Sequence, residues 1–460
     1  MLNRPRTTLI ALVGSAAGIV ATGAPLASAQ PITEDLKVTP ADGAANDEFG
    51  HSIAVEGGVI AVGAWVHDGI DQNTGSAYLY DGASGNLLHK LTPSDGTTGD
   101  QFGASVAIDN ENDVVAVGAI RGMGIGDNTG SAYLYDVATG NELRKLFAPS
   151  GADGDRFGQC IAIAEGIVAV GAPGDDAHGS NSGAVYIFDA STGVLLHTLR
   201  ASDANQADQF GSSIAIQDGI VAVGATYDDD NGIDAGSVYI FDAVSGQELR
   251  EIYAIDGAAS DRFGDVIDID SGVLAVGVPS HEHGGLRSGA GYLIDLATGA
   301  HLDKLLPAGR AFGEAIGGSI SIDNGIVCLG AWSNNDNGND SGTAYLFDVS
   351  TGAEIVQLLP SDPADQDRFG ISAAMGGGVV AVGAINNTVG TLDSGSVYVF
   401  AVPQSDCLAD VNNDGMLTPA DFTAWINAYN SQLPECDQNG DGSCTPTDFT
   451  AWIANYSTGC

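Results

Sequence analysis

The chain has 460 residues and carries 59 Asp+Glu against 15 Lys+Arg, a formal net charge of −44. Its 44 % hydrophobic content is enough for a core, which excludes a mostly disordered acidic chain. Nothing neutralises phosphate, which excludes a duplex-DNA binder, and 65 Gly with only 16 % charged residues points to many tight turns between short strands.

Arg4 and Arg6 precede an apolar run from about Leu9 to Ala21, and Ala27-Ser28-Ala29 follows as a small-residue cleavage site. This pattern predicts a secretory signal over residues 1–29, a mature chain from Gln30, and an extracellular or cell-surface location. The run is short and rich in Gly, Ala and Ser, a poor match to a bilayer core of roughly 30 Å. No later segment reads as a membrane span.

A repeat of 53 residues covers most of the rest. Phe-Gly pairs stand at Phe49-Gly50, Phe102-Gly103, Phe157-Gly158, Phe210-Gly211, Phe263-Gly264 and Phe369-Gly370. Phe312-Gly313 breaks the spacing. A second landmark, an apolar run ending in Gly63, Gly118, Gly171, Gly224, Gly277, Gly330 and Gly383, resolves it. Ile316-Gly317 lies thirteen residues before Gly330, so it is the true landmark of unit six and Phe312-Gly313 is a decoy. The spacings of the second landmark are then 53, 55, 53, 53, 53 and 53, with the excess in a lengthened turn at Asp109–Asp113.

Twelve residues further on stand Gly75, Gly130, Gly183, Gly236, Gly289, Gly342 and Gly395, each followed by an alternating strand such as Ser76–Asp81. Six units then show Asp-x-x-Ser/Thr-Gly, a turn in which Asp accepts backbone N–H bonds and Gly supplies positive φ. A fourth strand follows, as in Leu88–Thr92. Four antiparallel strands per unit, seven times over, predict an all-β seven-bladed β-propeller over residues 30–402. Unit seven lacks a fourth strand, and Leu36-Lys37-Val38-Thr39-Pro40 supplies a spare one that closes the ring. An acid precedes each first landmark by two residues: Asp47, Asp100, Asp155, Asp208, Asp261, Glu314 and Asp367.

These repeats resemble FG-GAP repeats, the blades of integrin-alpha-type propellers and of many secreted bacterial proteins, over about residues 36–402. The Phe-Gly and Gly-Ala pairs carry the resemblance. Gly171-Ala172-Pro173 is complete in unit three, while Trp65, Ile120, Thr226, Trp332 and Ile385 stand at the Pro position elsewhere. The resemblance implies binding or adhesion to a glycan or protein ligand. It also implies calcium in Asp-x-Asp-x-Asp-Gly loops, a pattern the loops here do not match. Asp228-Asp229-Asp230-Asn231-Gly232 is nearest, then Asn334-Asn335-Asp336-Asn337-Gly338, and both read as acidic solvated loops.

After a linker at 403–409 the composition changes, and residues 410–460 hold two segments with a period of 27. DVNNDGMLTPAD and DQNGDGSCTPTD place oxygen side chains at loop positions 1, 3, 5, 9 and 12, with Gly415 and Gly442 at position 6. That is calcium-loop spacing, and it predicts two Ca²⁺ ions. The ligands of the first loop are Asp410, Asn412, Asp414, the Met416 carbonyl, Thr418 and Asp421. Those of the second are Asp437, Asn439, Asp441, the Ser443 carbonyl, Thr445 and Asp448. Asp at position 12 and a helix only after each loop resemble type I dockerins, small α-helical EF-hand-like modules that bind cohesins in polysaccharide-degrading assemblies. The resemblance implies a protein partner for the tail, cohesin-like or another surface protein. Pro419-Ala420 and Pro446-Thr447 depart from the Ser/Thr recognition pairs of clostridial dockerins. Trp425, Trp452, Ile426 and Ile453 read as the small core between two near-identical helices.

Cys407, Cys436, Cys444 and Cys460 crowd this module, where disulfides compensate for a small core, and their pairing stays open. Cys160 and Cys328 read as free and buried. No HExxH or P-loop occurs. His281-Glu282-His283 offers two metal ligands without a third and reads as a solvent loop. Tyr-x-x-Asp-x-x-Thr-Gly stretches resemble quinoprotein blades, but the propeller holds only Trp65 and Trp332 for blade docking. The leading expectation is a secreted non-enzymatic binding protein. The alternatives are a hydrolase or quinoprotein-like enzyme with a targeting tail, and a structural cell-surface component.

Overall fold

The computed structural model describes residues 31–126, 128–390, 392–402, 411, 419–431, 436 and 444–458. Within each repeat the chain makes four antiparallel strands. In blade one these are Ser52–Glu56, Val59–Ala64, Ser76–Asp81 and Leu87–Leu91, hydrogen-bonded in that order. The second strand is apolar on both faces because neighbouring blades cover both, so Ile60, Ala61 and Val62 are fully buried. The fourth strand is the outer edge: of Leu87–Leu91 only Leu91 is buried. Seven sheets repeat this order, and seven hydrophobic clusters each draw on two adjacent blades.

The recurrent Phe is the wedge between blades. Phe49, Phe102, Phe157, Phe210, Phe263 and Phe369 are fully buried. Phe49 meets Tyr78 and Tyr80 edge-on at 5.5 and 6.0 Å, a favoured aromatic geometry. The Phe102 backbone N–H donates to the Thr74 carbonyl of the preceding blade at 2.8 Å, and its equivalents do the same around the ring. Gly75 is required there: its φ is +85°, and a Cβ would stand 1.9 Å from the Phe102 carbonyl oxygen. Ile316 is fully buried and donates to Ser288 at 2.8 Å, whereas Phe312 is 70 % exposed, so the decoy pair lies outside the interface.

Serine hydroxyls add a second tie. Ser52, Ser105, Ser213 and Ser319 donate to the carbonyls of Gly103, Gly158, Gly264 and Gly370 in the next blade at 2.7–3.0 Å. Cys160 stands at this position in blade three, and Cys328 is buried in blade six; neither is disulfide-bonded. Cys160 is half-buried on the axial cavity rather than fully buried as expected; burial pushes its thiol up to about 11 and the Cys328 thiol up to about 12, so both are protonated at neutral pH.

The turn aspartates act as expected. The Asp136 carboxylate accepts from the Thr139 backbone at 2.7 Å and from its hydroxyl at 2.6 Å, and these bonds hold its carboxyl below the usual range. The long turn of blade two spans Asn110–Asp113, where Asn112 bonds the Asp109 carboxylate through its backbone at 3.1 Å.

Blade seven is completed by the N-terminal strand Leu36–Val38, antiparallel to Ser396–Ala401, with Leu36 opposite Val399 and Val38 opposite Val397. Lys37 bonds Asp362 at 2.7 Å and lies 4.8 Å over the Tyr398 ring. Glu34 accepts from the Ser361 N–H at 2.9 Å, as Glu142 does from Ser94 at 2.9 Å, so the N-terminal segment copies an ordinary fourth strand. Beyond the four-strand pattern, Ile32–Thr33 pairs in parallel with Leu358 and Leu359 and makes blade six five-stranded, and short hairpins stand at Glu282–Arg287 and Thr388–Asp393.

In the tail, the described residues form two helices, Pro419–Ser431 and Pro446–Thr458, and a Cys436–Cys444 disulfide. Cys407 and Cys460 lie outside the described residues. Trp425 and Trp452 form the helix core with Phe422. Ile426 and Ile453 do not join it: they are 38 % and 48 % exposed, because a 13-residue helix pair this small has one buried stripe and the Trp rings fill it. Among the described residues no helix is long and apolar enough to cross a membrane.

Candidate functional site

Three features converge on one end of the ring. The first strands begin there, the connections from fourth to first strands arrive there, and the loops from second to third strands project there. A cavity of about 270 Å³ opens at this end, lined by the first-strand starts of all seven blades, among them His51, Gln159, Ser212, Asp265, Gly318 and Ile371.

Aromatic and charged side chains rim this mouth. Trp65 stacks on His51 at 4.4 Å and donates its indole N–H to Glu48 at 2.7 Å. Trp332 abuts Gly318, where any Cβ would stand 2.7 Å from its ring. Arg368 lies 5.6 Å over Trp332, and Arg262 lies 5.0 Å over Tyr227. Burial pulls the His51 imidazole below its ordinary range and outweighs nearby Glu48, so it is neutral at physiological pH.

The residues just before the Phe wedge explain how these groups are aimed. Glu48, Gln101, Arg156, Gln209, Arg262, Ala315 and Arg368 all have φ between +53° and +62°. A non-Gly residue in this region costs roughly 1–2 kcal/mol, a strain retained where the surroundings impose it. Three of the seven are arginines, so a cation stands at this position in blades three, five and seven of an acidic molecule. The strand and turn landmarks alone gave no hint of this. The signal available was positional: Trp65 and Trp332 both directly follow Gly-Ala.

Outside the rim, a second constellation recurs. A strand-three Tyr donates to an Asp that also binds a strand-four Lys: Tyr133, Asp95 and Lys145; Tyr292, Asp256 and Lys304; Tyr398, Asp362 and Lys37; all these bonds measure 2.7–2.8 Å. Tyr78, Asp42 and Lys90 do the same in blade one. Burial acts to raise the Asp256 carboxyl, but Lys304 and Tyr292 outweigh it and hold it at about 2. Asp47, Asp155, Asp208, Glu314 and Asp367, buried just before the wedge positions, behave oppositely. Burial, outweighing the bond from the Asn205 N–H, pushes Asp208 up to about 6, with Asp228 adding to the rise.

In blade four Glu251 replaces the Lys. Asp203, Asp230 and Glu251 then bring three carboxylates within 4.8 Å of one another, beside Asp228, which accepts from Tyr239 at 2.8 Å. The sequence-level picture of Asp228–Gly232 as a solvated loop therefore fails at Asp228, which is 3 % exposed. Asn334 likewise is buried and donates to Glu314 at 2.9 Å.

His281-Glu282-His283 also departs from a simple solvent loop. His281 is 2 % exposed and bonds Asp261 at 2.8 Å, and Asp256 from the preceding connection stands beside both histidines. That third group, 25 residues before His281, was invisible in the local motif.

Of the predicted calcium ligands, Thr445 and Asp448 are described. The Asp448 carboxylate is buried and accepts from the Thr445 N–H at 2.7 Å and hydroxyl at 3.1 Å, a capping-box arrangement with Pro446 in the first helical turn. Asp410, Asn412, Asp414, Met416, Thr418, Asp437, Asn439, Asp441 and Ser443 lie outside the described residues, as does the side chain of Asp421.

A ring of four-stranded blades, wedged by Phe and open at an axial mouth, defines a β-propeller. This chain belongs to the FG-GAP repeat family: the repeat matches residues 32–80, 86–135, 141–188, 195–241, 247–294, 301–347 and 353–400. FG-GAP repeats are typical of extracellular proteins. Among solved structures, one similar chain is the computationally designed Ika8 protein, with a TM-score of 0.47 and 18 % identity over 81 % of this chain and 100 % of that one. No curated protein matches.

Proposed function

We propose that the protein is an exported, non-enzymatic binding protein. Its propeller holds a glycan or protein ligand at the axial mouth, and its tail is a calcium-binding, dockerin-like attachment module. One observation carries the reading: Trp65, Trp332, Tyr227 and three arginines gather at one end of an acidic molecule. Indole faces suit sugar rings and apolar side chains, and arginine suits the carboxylates of acidic sugars and proteins. The signal at residues 1–29 supports export, with the ring at 30–402, a linker at 403–409 and the attachment module at 410–460. Screening the full chain against glycans and extracellular proteins tests the propeller. Saturable binding that weakens in Trp332→Ala supports the reading, and binding indifferent to the rim refutes it.

The tail takes two Ca²⁺ ions on Asp410, Asn412, Asp414, Met416, Thr418 and Asp421, and on Asp437, Asn439, Asp441, Ser443, Thr445 and Asp448. Exposed Ile426 and Ile453 at matching helix positions give it two equivalent apolar contacts for a protein partner, cohesin-like or another surface protein. Because ligand oxygens must be gathered as the ion binds, folding and binding are coupled. Adding chelator to the full chain is expected to shift only the tail's tryptophan fluorescence, from Trp425 and Trp452, and calcium is expected to restore it. Calorimetry showing no Ca²⁺ uptake overturns this part.

A further inference from the structure

The blade-five loop holds chemistry that neither the ring nor the tail uses. We propose that Asp256, His281 and His283 form a binding site for a late first-row divalent cation, with Zn²⁺ as the reference ion. Their ligand atoms lie within 4.8 Å of one another. Donors around one tetrahedral zinc stand about 3.3 Å apart, so a modest closure completes the set. The short hairpin that pairs Glu282 with Arg287 and His283 with Leu286 folds the second histidine into place, and Asp256 is on the exposed side of the cluster.

His281 is oriented as a ligand. Its ring is 2 % exposed, and its Nδ1 bonds the buried Asp261 carboxylate at 2.8 Å. That bond places the proton on Nδ1 and leaves the Nε2 lone pair facing the cluster. A carboxylate behind a ligating histidine fixes its tautomer and raises its basicity, the usual support of a metal-bound imidazole. The Nε2 lone pair accepts from the Lys304 ammonium at 2.5 Å, and the same ammonium bonds Asp256 at 2.8 Å. Lys304 therefore already occupies the cation position with a single charge. A divalent ion replaces it, and the Lys304 side chain, at the surface with 18 % exposure, turns out to water.

Blade one supplies an internal comparison. His67, Asp42, Lys90 and Tyr78 occupy the matching positions, but His67 turns Nδ1 to the Ser76 hydroxyl at 3.2 Å, and its Nε2 stands 3.8 Å from both Asp42 and Asp47. There Gly69 stands where blade five has His283, so the second imidazole is missing. Two imidazoles with one carboxylate select zinc, nickel or copper over calcium and magnesium. The blade-four cluster of Asp203, Asp230 and Glu251 lacks any imidazole and is not part of the proposal.

The test is Zn²⁺ titration of the full chain against a chromophoric chelator, without reductant and with Ca²⁺ in excess. Wild type is expected to bind Zn²⁺, with affinity falling at least about tenfold in His283→Ala and in Asp256→Asn. Lys304→Met is expected to bind more tightly because the competing ammonium is gone. His67→Ala is expected to match wild type. Zinc affinity unchanged by His283→Ala assigns the metal elsewhere, including to tail thiols, and overturns the proposal. So does an absence of zinc binding in both wild type and Lys304→Met.

Discussion

A chain lacking residues 31–40 is expected to melt roughly 5–10 °C lower than the intact protein and to associate in solution, as read by calorimetry and light scattering. The deletion removes the strand Leu36–Val38, which leaves the edge of Ser396–Ala401 unpaired, and the two-residue strand Ile32–Thr33 on blade six. Val38, 3 % exposed, and half-buried Leu36 together supply about 3–5 kcal/mol of apolar burial. The Lys37–Asp362 pair is lost as well, but with side-chain exposures of 25 % and 50 % it contributes little. Association follows because an open edge of Val397, Tyr398 and Val399 is a template for another chain. Val38→Asp is the milder companion: it keeps the backbone pairing and places a charge in the cluster that joins blades seven and one. A melting curve unchanged by either variant contradicts closure by this strand.

Ile316→Ala is expected to destabilise the propeller by about 2–5 kcal/mol, and Phe312→Ala, only four residues away, by less than about 0.5 kcal/mol. Ile316 is fully buried in the core between blades five and six, against Leu293, Leu305 and Leu329. Phe312 is 70 % exposed. Denaturant melts of the two variants read the difference directly. A large loss from Phe312→Ala with little from Ile316→Ala reverses the assignment of the sixth interface.

Most of the ring was legible because its period is strict. Every blade needs the same Gly at the same crowded backbone crossing, so spacing located the interfaces and exposed Phe312-Gly313 as a decoy. The missing fourth strand of unit seven was countable, and Leu36–Val38 fills it. The parallel Ile32–Thr33 strand escaped because two residues carry no periodicity and no repeat demands them.

The sites were far less legible, for a different reason. Mouth and cation cluster both join residues from separate connections, and a local motif cannot report what another loop delivers. Asp256 belongs to the connection entering blade five, and His281 and His283 to the loop between its second and third strands. Trp65 and Trp332 looked merely too few for blade docking, yet their shared position after Gly-Ala puts both at the rim. In the tail the reverse held for Ile426 and Ile453: symmetry suggested a core pair, and the Trp rings left no room for them.

Ligand binding at the axial mouth is open to a single titration. The strongest binder from a glycan and extracellular-protein panel is titrated against wild type, Trp332→Ala and Leu249→Ser. Leu249 is 50 % exposed near the start of the outer strand of blade four, toward the end of the blade opposite the mouth. At least about a tenfold loss is expected in Trp332→Ala, the size of an aromatic hot spot, and wild-type affinity in Leu249→Ser. Full affinity in Trp332→Ala with loss in Leu249→Ser contradicts it and moves the ligand to the outer edge of the blades.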